Sequence, residues 1–216
     1  MRPLNKLRGM RFPDEYIVRM FFKQGLQHSL GRVLELGCGS GNNLMLFHEF
    51  GWQVVGVDIC TDALSDAAHN LAGGPDTVTL LQADLAQGMP AQIGEFNAII
   101  LPSINYYIPR ASFRKLLAEC SRLLKQGGTF YLRSRTCKDW RYGRGREIEP
   151  NGFVLECVET GEKGLLNIFY EADELANECA ACIGELHDLQ ILKVNYENSQ
   201  SGLIISNDDI VIWGRR

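Results

Sequence analysis

The chain has 216 residues, of which 45% are hydrophobic and 22% charged, and its formal net charge is −4. This composition is typical of one globular domain and does not favour a nucleic-acid partner, which usually needs a basic surface. The sequence contains no run of about 18 apolar residues and no signal-peptide core, so we expect no membrane span. Seven scattered cysteines, an odd number, indicate reduced thiols and a cytoplasmic protein.

The first predicted element is a helix that begins near Pro13. Proline suits the first turn of a helix, and the acidic residues Asp14 and Glu15 favour its positive end. Ile17 and Met20 then begin an apolar stripe at helical spacing.

The most informative stretch is residues 33–43, VLELGCGSGNN. An apolar strand runs into Glu35 and then into glycines at alternate positions, Gly37, Gly39 and Gly41, before a helical segment. Glycines at this spacing let a strand turn sharply into a helix while the backbone lies close to a ligand, because no Cβ intervenes. The motif predicts a cradle for a small molecule, although a tight turn without a ligand would use similar glycines.

The charge of this motif indicates which ligand it binds. A dinucleotide fingerprint reads G-x-G-x-x-G, and Asn42 stands where the third glycine would fall. Glu35 would repel a pyrophosphate and attract an ammonium or sulfonium group. The motif therefore favours a ligand with an amino-acid end and disfavours a nucleotide-dependent oxidoreductase.

Two further acidic residues follow predicted strands. Residues 53–59 form an apolar run that reaches Asp58, roughly 20 residues after the glycines, where an acid commonly accepts ribose hydroxyls. Residues 78–85 form another strand with Asp84 near its end. Ligands of parallel sheets bind outside the carboxyl ends of the strands, so we expect Glu35, Asp58 and Asp84 to converge. Either aspartate could instead cap a helix.

With these motifs, the chain resembles the class I S-adenosylmethionine-dependent methyltransferases over about residues 30–134. The resemblance implies S-adenosyl-L-methionine as cofactor and an α/β, Rossmann-like fold. Its sheet would be seven-stranded, mostly parallel and doubly wound, with an antiparallel C-terminal strand pair. The cofactor-binding residues that it implies are Glu35, Gly37, Cys38, Gly39, Ser40, Gly41, Asp58, Ile59, Asp84, Leu85, Leu101 and Ser103.

The later elements fit this fold and add an insertion after strand five. We predict strands over 96–101 and 129–133, a helix over 109–125 closed by Gly127 and Gly128, a hairpin of 153–157 and 165–170, a helix over 171–184, and final strands near 189–196 and 210–213. The chain is thus one domain, 1–216, in four parts. These are an N-terminal helical segment (1–30), a cofactor-binding core (31–134), a substrate-facing insertion (135–171) and a C-terminal helix and strand pair (172–216).

The acceptor side is less defined. The segment 133–146 is rich in arginine, a side chain whose planar fork suits carboxylate and phosphate. We predict that Arg133, Arg135 and Arg141, with Tyr106, bind a small anionic acceptor. A solvated basic loop is an alternative, and so is a nucleic-acid surface, since aromatic residues interleave the charges.

The sequence identifies no catalytic base. We expect methyl transfer to rely mainly on alignment of the reactants, more than on a dedicated catalytic residue. Cys179 and Cys182 resemble half of a metal site but have no second pair, so core packing is favoured and no metal is expected. The predicted function is O- or N-methylation of a small, anionic acceptor. The alternative is a cofactor-binding protein without transferase activity, acting as a sensor or partner subunit. The oligomeric state is not predicted.

Overall fold

The computed structural model describes residues 6–10, 12–72, 77–91, 93–200 and 202–216, without the side chain of residue 200. Its helices are α1 (Glu15–Lys23), α2 (Asn42–Glu49), α3 (Thr61–Leu71), α4 (Arg110–Leu123) and α5 (Ala172–Ile183), with short 3-10 helices at Leu26–His28 and Asn105–Tyr107. Its strands are β1 (Arg32–Leu36), β2 (Gln53–Asp58), β3 (Val78–Gln82), β4 (Phe96–Leu101), β5 (Leu124–Arg135), β6 (Gly145–Glu149), β7 (Gly152–Leu155), β8 (Leu166–Ile168), β9 (His187–Gln200) and β10 (Leu203–Arg215).

Within these residues, a seven-stranded sheet has the order β3-β2-β1-β4-β5-β10-β9. Neighbours from β3 to β5 are parallel, whereas β10 is antiparallel to both β5 and β9. The predicted Rossmann-like fold is therefore confirmed. The chain winds outward from β1 to β3 and then returns to β4, so the winding direction changes between β1 and β4. A ligand crevice is expected at this point, outside the carboxyl ends of the strands.

Helices cover both faces of the sheet, and β5 shows how the sequence divides between them. Phe130 and Leu132 pack in the core on the α4 and α5 side, and Tyr131 between them packs with Trp52 and Trp213 in the core on the α1 and α2 side. All five side chains are almost completely buried. Strands covered on both faces read as continuous apolar runs, which explains why they were recognisable in the sequence.

Helix α1 begins where the sequence predicts. Asp14 is its N-cap, and its carboxylate accepts hydrogen bonds from the backbone N–H groups of Tyr16 and Ile17. Ile17, Met20 and Phe21 are its buried residues, as expected. Residues 1–5 and Arg11 lie outside the described part of the chain.

The insertion after β5 contains one more strand than predicted. Strands β7 and β8 form the predicted hairpin, and β6 pairs with β7 on its other side. Sequence analysis missed β6 because its residues are polar and mostly exposed. Gly145 is suited to this pairing, since a Cβ there would lie 2.1 Å from the Val154 carbonyl oxygen.

Several predicted boundaries were wrong. The glycine pair Gly127–Gly128 does not end α4, because the helix already ends at Leu123 and both glycines lie within β5. Strands β9 and β10 are longer than expected, and their cross-strand pairing extends from His187 to Gln200. Backbone pairing maintains these strands through polar stretches that lack an apolar pattern. In the residues that the structure describes, no helix is both long enough and apolar enough to cross a membrane.

Candidate functional site

Two adjoining cavities lie at the carboxyl ends of the central strands. The smaller one, of about 140 Å³, is lined by Gly37, Asp58, Ile59, Ala83, Asp84, Leu85, Ala86, Ile104, Tyr107 and Ile108. The larger one, of about 480 Å³, is lined by Gly9, Met10, Asp14, Glu35, Gly37, Cys38, Gly39, Ser40, Asn42, Asn43, Asp62, Ala63, Asp66, Pro102 and Ser103. Gly37 lines both, so the two cavities meet at the glycine loop, residues 37–41. Together they are called the cleft.

Positive φ angles explain the glycines of this loop. Gly37 has φ +75°, and a Cβ on it would lie 2.9 Å from the Ile104 side chain. Gly39 has φ +51°, and a Cβ on it would meet no atom within 4 Å. Because Gly39 lines the larger cavity, this open space gives a ligand close access to the backbone. Gly41 lines neither cavity and instead precedes α2 as its N-cap.

Asp58 is held at the junction of the glycine loop and the smaller cavity. Its Oδ2 atom accepts a hydrogen bond of 2.8 Å from the Gly39 N–H, and its Oδ1 atom accepts one of 2.9 Å from the Cys60 N–H. Each carboxylate oxygen can accept more than one hydrogen bond, so the group retains capacity for a ligand hydroxyl. The arrangement makes Asp58 both an anchor of the loop and a candidate ligand-binding group.

The rest of the smaller cavity combines polar and apolar groups. Asp84 is exposed, and its Oδ1 atom accepts a hydrogen bond of 2.9 Å from the Ala86 N–H. Leu85 is buried beside it, whereas Ile59 is 62% exposed. An exposed isoleucine at the mouth of a cavity offers an apolar surface to a flat ring.

Glu35 is the most unusual group in the larger cavity. It is 1% exposed, and its Oε1 atom accepts a hydrogen bond of 2.6 Å from Asn43 Nδ2, while its Oε2 atom has no partner. Burial, together with the nearby carboxylate of Asp58, raises the pKa of Glu35 to about 8. A buried acid with an unpartnered oxygen is suited to a positively charged ligand group, which would compensate its charge.

Of the residues predicted near the end of β4 and after it, only some line the cleft. Pro102 and Ser103 line the larger cavity, and Ser103 has φ 156°, a backbone angle rare for residues other than glycine. Leu101 is completely buried in the core and lines neither cavity. Tyr106 does not line the cleft either, and the neighbouring Tyr107 lines the smaller cavity.

Arg133 is paired with two carboxylates. Its Nη1 atom lies 2.5 Å from Asp14 Oδ2, and its Nη2 atom lies 2.5 Å from Asp209 Oδ2. Burial raises the pKa of Asp209, although the Arg133 charge opposes this shift. The guanidinium group therefore links α1 to β10.

Arg135 and Arg141 share one carboxylate, that of Glu162. Arg135 Nη1 lies 2.7 Å from Glu162 Oε1, and Arg141 Nε lies 2.6 Å from Glu162 Oε2. Burial would raise the pKa of Glu162, but its hydrogen bond from Arg135 and the charges of both arginines lower it below its usual value. Arg141 also pairs with Asp139 at 2.8 Å, so four carboxylates accompany the three arginines.

These ion pairs argue against the anionic acceptor that was predicted from the basic segment. Arg133, Arg135 and Arg141 are all paired with carboxylates, and Arg135 and Arg141 connect β5 and the residues after it to Glu162. In the described part of the chain, Arg133, Arg135 and Arg141 are not among the residues that line either cavity. Sequence showed the arginines but not their partners, which come from distant positions such as Asp14, Glu162 and Asp209.

The cysteine pair on α5 lies in a similarly structural setting. Cys179 is 1% exposed and belongs to the core, and Cys182 packs against that core. Among the described residues, no group of three or more His, Cys, Asp and Glu side chains is placed to hold a metal ion.

The sequence did not indicate which residues of the N-terminal segment line the larger cavity. Gly9, Met10 and Asp14 line this cavity together with Asn42 and Asn43 of α2. The signal available in the sequence was a pair of asparagines, Asn42 and Asn43, at the start of a predicted helix. In the structure, both side chains are less than a tenth exposed. Sequence analysis used Asn42 only as evidence against a dinucleotide.

Comparisons with known proteins agree with this geometry. A family model described as a methyltransferase domain matches residues 33–128. A protein-L-isoaspartate O-methyltransferase of Methanoculleus marisnigri is 32% identical over 110 residues, which cover 50% of this chain and 50% of that protein. The chain thus spans about half the length of this curated relative.

Two solved structures show the same fold. A SAM-dependent methyltransferase of Methanosarcina mazei gives a TM-score of 0.63 at 20% identity, covering 86% of this chain and 92% of that chain. The glycopeptide N-methyltransferase MtfA, complexed with S-adenosyl-L-homocysteine, gives a TM-score of 0.61 at 19% identity, covering 96% and 92%. The fold and the cleft define a doubly wound α/β domain with a ligand crevice at its switch point. Residues 33–128 match a methyltransferase domain, and the fold is that of the S-adenosylmethionine-dependent methyltransferases.

The residues of the cleft fit the cofactor of this family. S-adenosylmethionine combines an adenosine with a methionine that carries an ammonium group. Asp58, Ile59 and Leu85 offer a hydroxyl acceptor and apolar walls in the smaller cavity. Glu35 lines the larger cavity and carries an unpartnered oxygen that would suit the ammonium group, and the open space at Gly39 would admit the chain between the two ends.

Proposed function

We propose that this protein transfers a methyl group from S-adenosylmethionine to a small-molecule acceptor. The observation that carries the proposal is that two cavities meet at Gly37 of the glycine loop, with Asp58 lining the smaller one and Glu35, which has one unpartnered oxygen, lining the larger one. This pairing matches a ligand with a ribose at one end and an ammonium group at the other.

The chain's own residues have the tasks of binding and alignment. When bound, S-adenosylmethionine supplies a methyl group that its sulfonium centre already activates. Asp58 would hold the ribose, Glu35 the ammonium group, and Ile59 with Leu85 the adenine. Pro102 and Ser103 line the larger cavity at the end of β4, where they would border the acceptor. Holding two reactants in line contributes much of the rate enhancement of such a displacement.

Two other functions remain as alternatives with definite tests. A cofactor-binding protein without transferase activity would use the same cleft but give no methylated product. A nucleotide-dependent oxidoreductase is disfavoured by Glu35 and by Asn42, which occupies the place of the third fingerprint glycine.

Calorimetry with purified protein tests the cofactor assignment. S-adenosylmethionine and S-adenosylhomocysteine are expected to bind, and NAD is expected to give no measurable heat of binding. Asn42 stands where the third fingerprint glycine would fall, and the carboxylate of Asp58 beside the glycine loop would repel a pyrophosphate. Tighter binding of NAD than of S-adenosylhomocysteine would contradict the proposal.

We also propose an acceptor whose charge differs from the negative charge expected from the sequence. The predicted anionic acceptor relied on free arginines, but all three are paired with carboxylates. The larger cavity is lined by Asp14, Glu35, Asp62 and Asp66, of which Asp14 pairs with Arg133 and Asp66 with Arg8, and no Lys, Arg or His is among its described lining residues. These charges support a small acceptor that is neutral or cationic.

Matched acceptor pairs test this proposal. Phenols and amines that differ only in bearing an ammonium or a carboxylate substituent, such as tyramine and 3-(4-hydroxyphenyl)propanoate, are incubated with radiolabelled S-adenosylmethionine. We expect the ammonium or neutral member of each pair to accept label at least about fivefold faster, because like charges are repelled from an acidic cleft. Faster labelling of the carboxylates would restore the anionic prediction.

A further inference from the structure

A segment of the N-terminal region, residues 8–14, lies along the glycine loop and is called the strap here; Arg11 is outside its described residues. Its backbone is hydrogen-bonded at every second residue by a side chain that is less than a tenth exposed: Asn70 at Arg8, Ser40 at Met10, Asn42 at Phe12 and Asn43 at Asp14. The strap also borders the larger cavity through Gly9, Met10 and Asp14. Its position is therefore set by side chains of the cofactor-binding core.

Among these four side chains, Asn43 also contacts Glu35. Its Oδ1 atom accepts a hydrogen bond of 2.8 Å from the Asp14 N–H, and its Nδ2 atom donates one of 2.6 Å to Glu35 Oε1. The orientation of the amide is fixed, since a backbone N–H can only donate and must face the amide oxygen. The amide nitrogen is thereby directed at Glu35 Oε1, whereas the buried Glu35 Oε2 has no hydrogen-bond partner.

The hydrogen bond from Asn43 matters because other groups near Glu35 disfavour its ionised form. The carboxylates of Asp58 and Asp14 and the thiol of Cys38 lie near Glu35, whereas the hydrogen bond from Asn43 and the nearby Leu44 backbone N–H favour its ionised form. Burial and the Asp58 charge raise the pKa of Glu35 to about 8, and the Asn43 hydrogen bond acts in the opposite direction. Loss of Asn43 would therefore favour the protonated form, which pairs poorly with an ammonium group.

We propose that Asn43 is a positioning residue, which orients Glu35 toward the ammonium group of the methyl donor and links that carboxyl group to the strap. This inference rests on the proposed function, because it takes the ligand of Glu35 to be the amino-acid end of the cofactor. It adds a residue that the glycine motif does not include. It also gives the strap a direct connection to the cofactor site.

The test is a double-mutant cycle of Asn43→Ala and Glu35→Gln, measured as the dissociation constant of S-adenosylhomocysteine by calorimetry between pH 6 and 8.5. In the wild-type background, we expect Asn43→Ala to weaken binding about fivefold at pH 7, with a loss that shrinks as pH rises. In the Glu35→Gln background, the same substitution is expected to weaken binding less than twofold, since coupled residues are not additive. Binding of 5′-methylthioadenosine, which lacks the amino-acid end, is expected to change less than twofold.

Asn70→Ala is the matched control, because Asn70 binds the strap at Arg8 and makes no hydrogen bond to Glu35. It is expected to leave the pH dependence of binding as in the wild type. Equal losses from Asn43→Ala in both backgrounds, or an equal loss for methylthioadenosine, would overturn the role of Asn43. If wild-type protein binds no S-adenosylhomocysteine, the proposed function itself fails, and the two failures are distinguishable.

Discussion

Asp58→Ala is expected to weaken binding of S-adenosylhomocysteine at least tenfold. The substitution removes the charged acceptor that would hold the ribose, and a hydrogen bond to a charged group contributes about 1.5–3 kcal/mol. It also removes the two bonds that the carboxylate accepts from Gly39 and Cys60, so the glycine loop loses an anchor. The dissociation constant is measured by calorimetry, and thermal unfolding establishes that the variant is folded.

Asp84→Ala is the comparison variant for this measurement. Asp84 lines the same cavity but is exposed, and its described hydrogen bond is the local one from Ala86. We expect it to weaken binding less than Asp58→Ala does. A folded Asp58→Ala protein that binds within twofold of the wild type would mean that Asp58 only organises the loop.

Glu35→Gln is expected to stabilise the ligand-free protein at high pH while weakening cofactor binding about tenfold. The pKa of Glu35 is raised from 4.5 in the reference state to about 8 in the folded protein. The folded state therefore holds the proton more tightly, and the stability that this proton provides is lost as pH rises toward about 8. Glutamine mimics the neutral acid, so the variant avoids that loss.

Thermal unfolding from pH 5 to pH 9 checks the sign of this effect. The two proteins should unfold at similar temperatures at pH 5, and the variant should be more stable by at least about 2–4 °C at pH 9, the shift expected for about 1 kcal/mol in a domain of this size. Asp62→Asn serves as the control, because Asp62 lines the same cavity but is exposed. A variant less stable than wild type at pH 9 would show that the ionised Glu35 is satisfied in the fold.

Much of the fold was predictable because its strands are buried on both faces. The apolar runs that became β1, β2 and β4 and the stripe of α4 were readable without tertiary information. Strand β6 and the outer parts of β9 and β10 were not, since their residues are polar and backbone pairing with a neighbour decides their conformation.

The cofactor side and the acceptor side of the site also differ in how far the sequence predicts them. Glu35, Gly37 and Asp58 lie at strand ends, where chain order and spacing alone bring them to one edge of the sheet, and all three line the cleft. Arg133 also lies near the end of a strand, β5, but its role depends on the carboxylates of Asp14 and Asp209, which come from distant parts of the chain.

The sequence by itself determined the sheet, the glycine loop and the three acids that surround it, because these features depend on residue types at short, fixed spacings. Only the tertiary structure showed that Arg133, Arg135 and Arg141 are paired with carboxylates and which residues of the N-terminal segment border the larger cavity. Charge compensation depends on pairs such as Arg133 with Asp14 and Arg135 with Glu162. The strap is held by contacts such as the hydrogen bond of Asn43 with the backbone of Asp14, 29 residues earlier in the chain. Such contacts join residues that are far apart in sequence, so no local pattern records them.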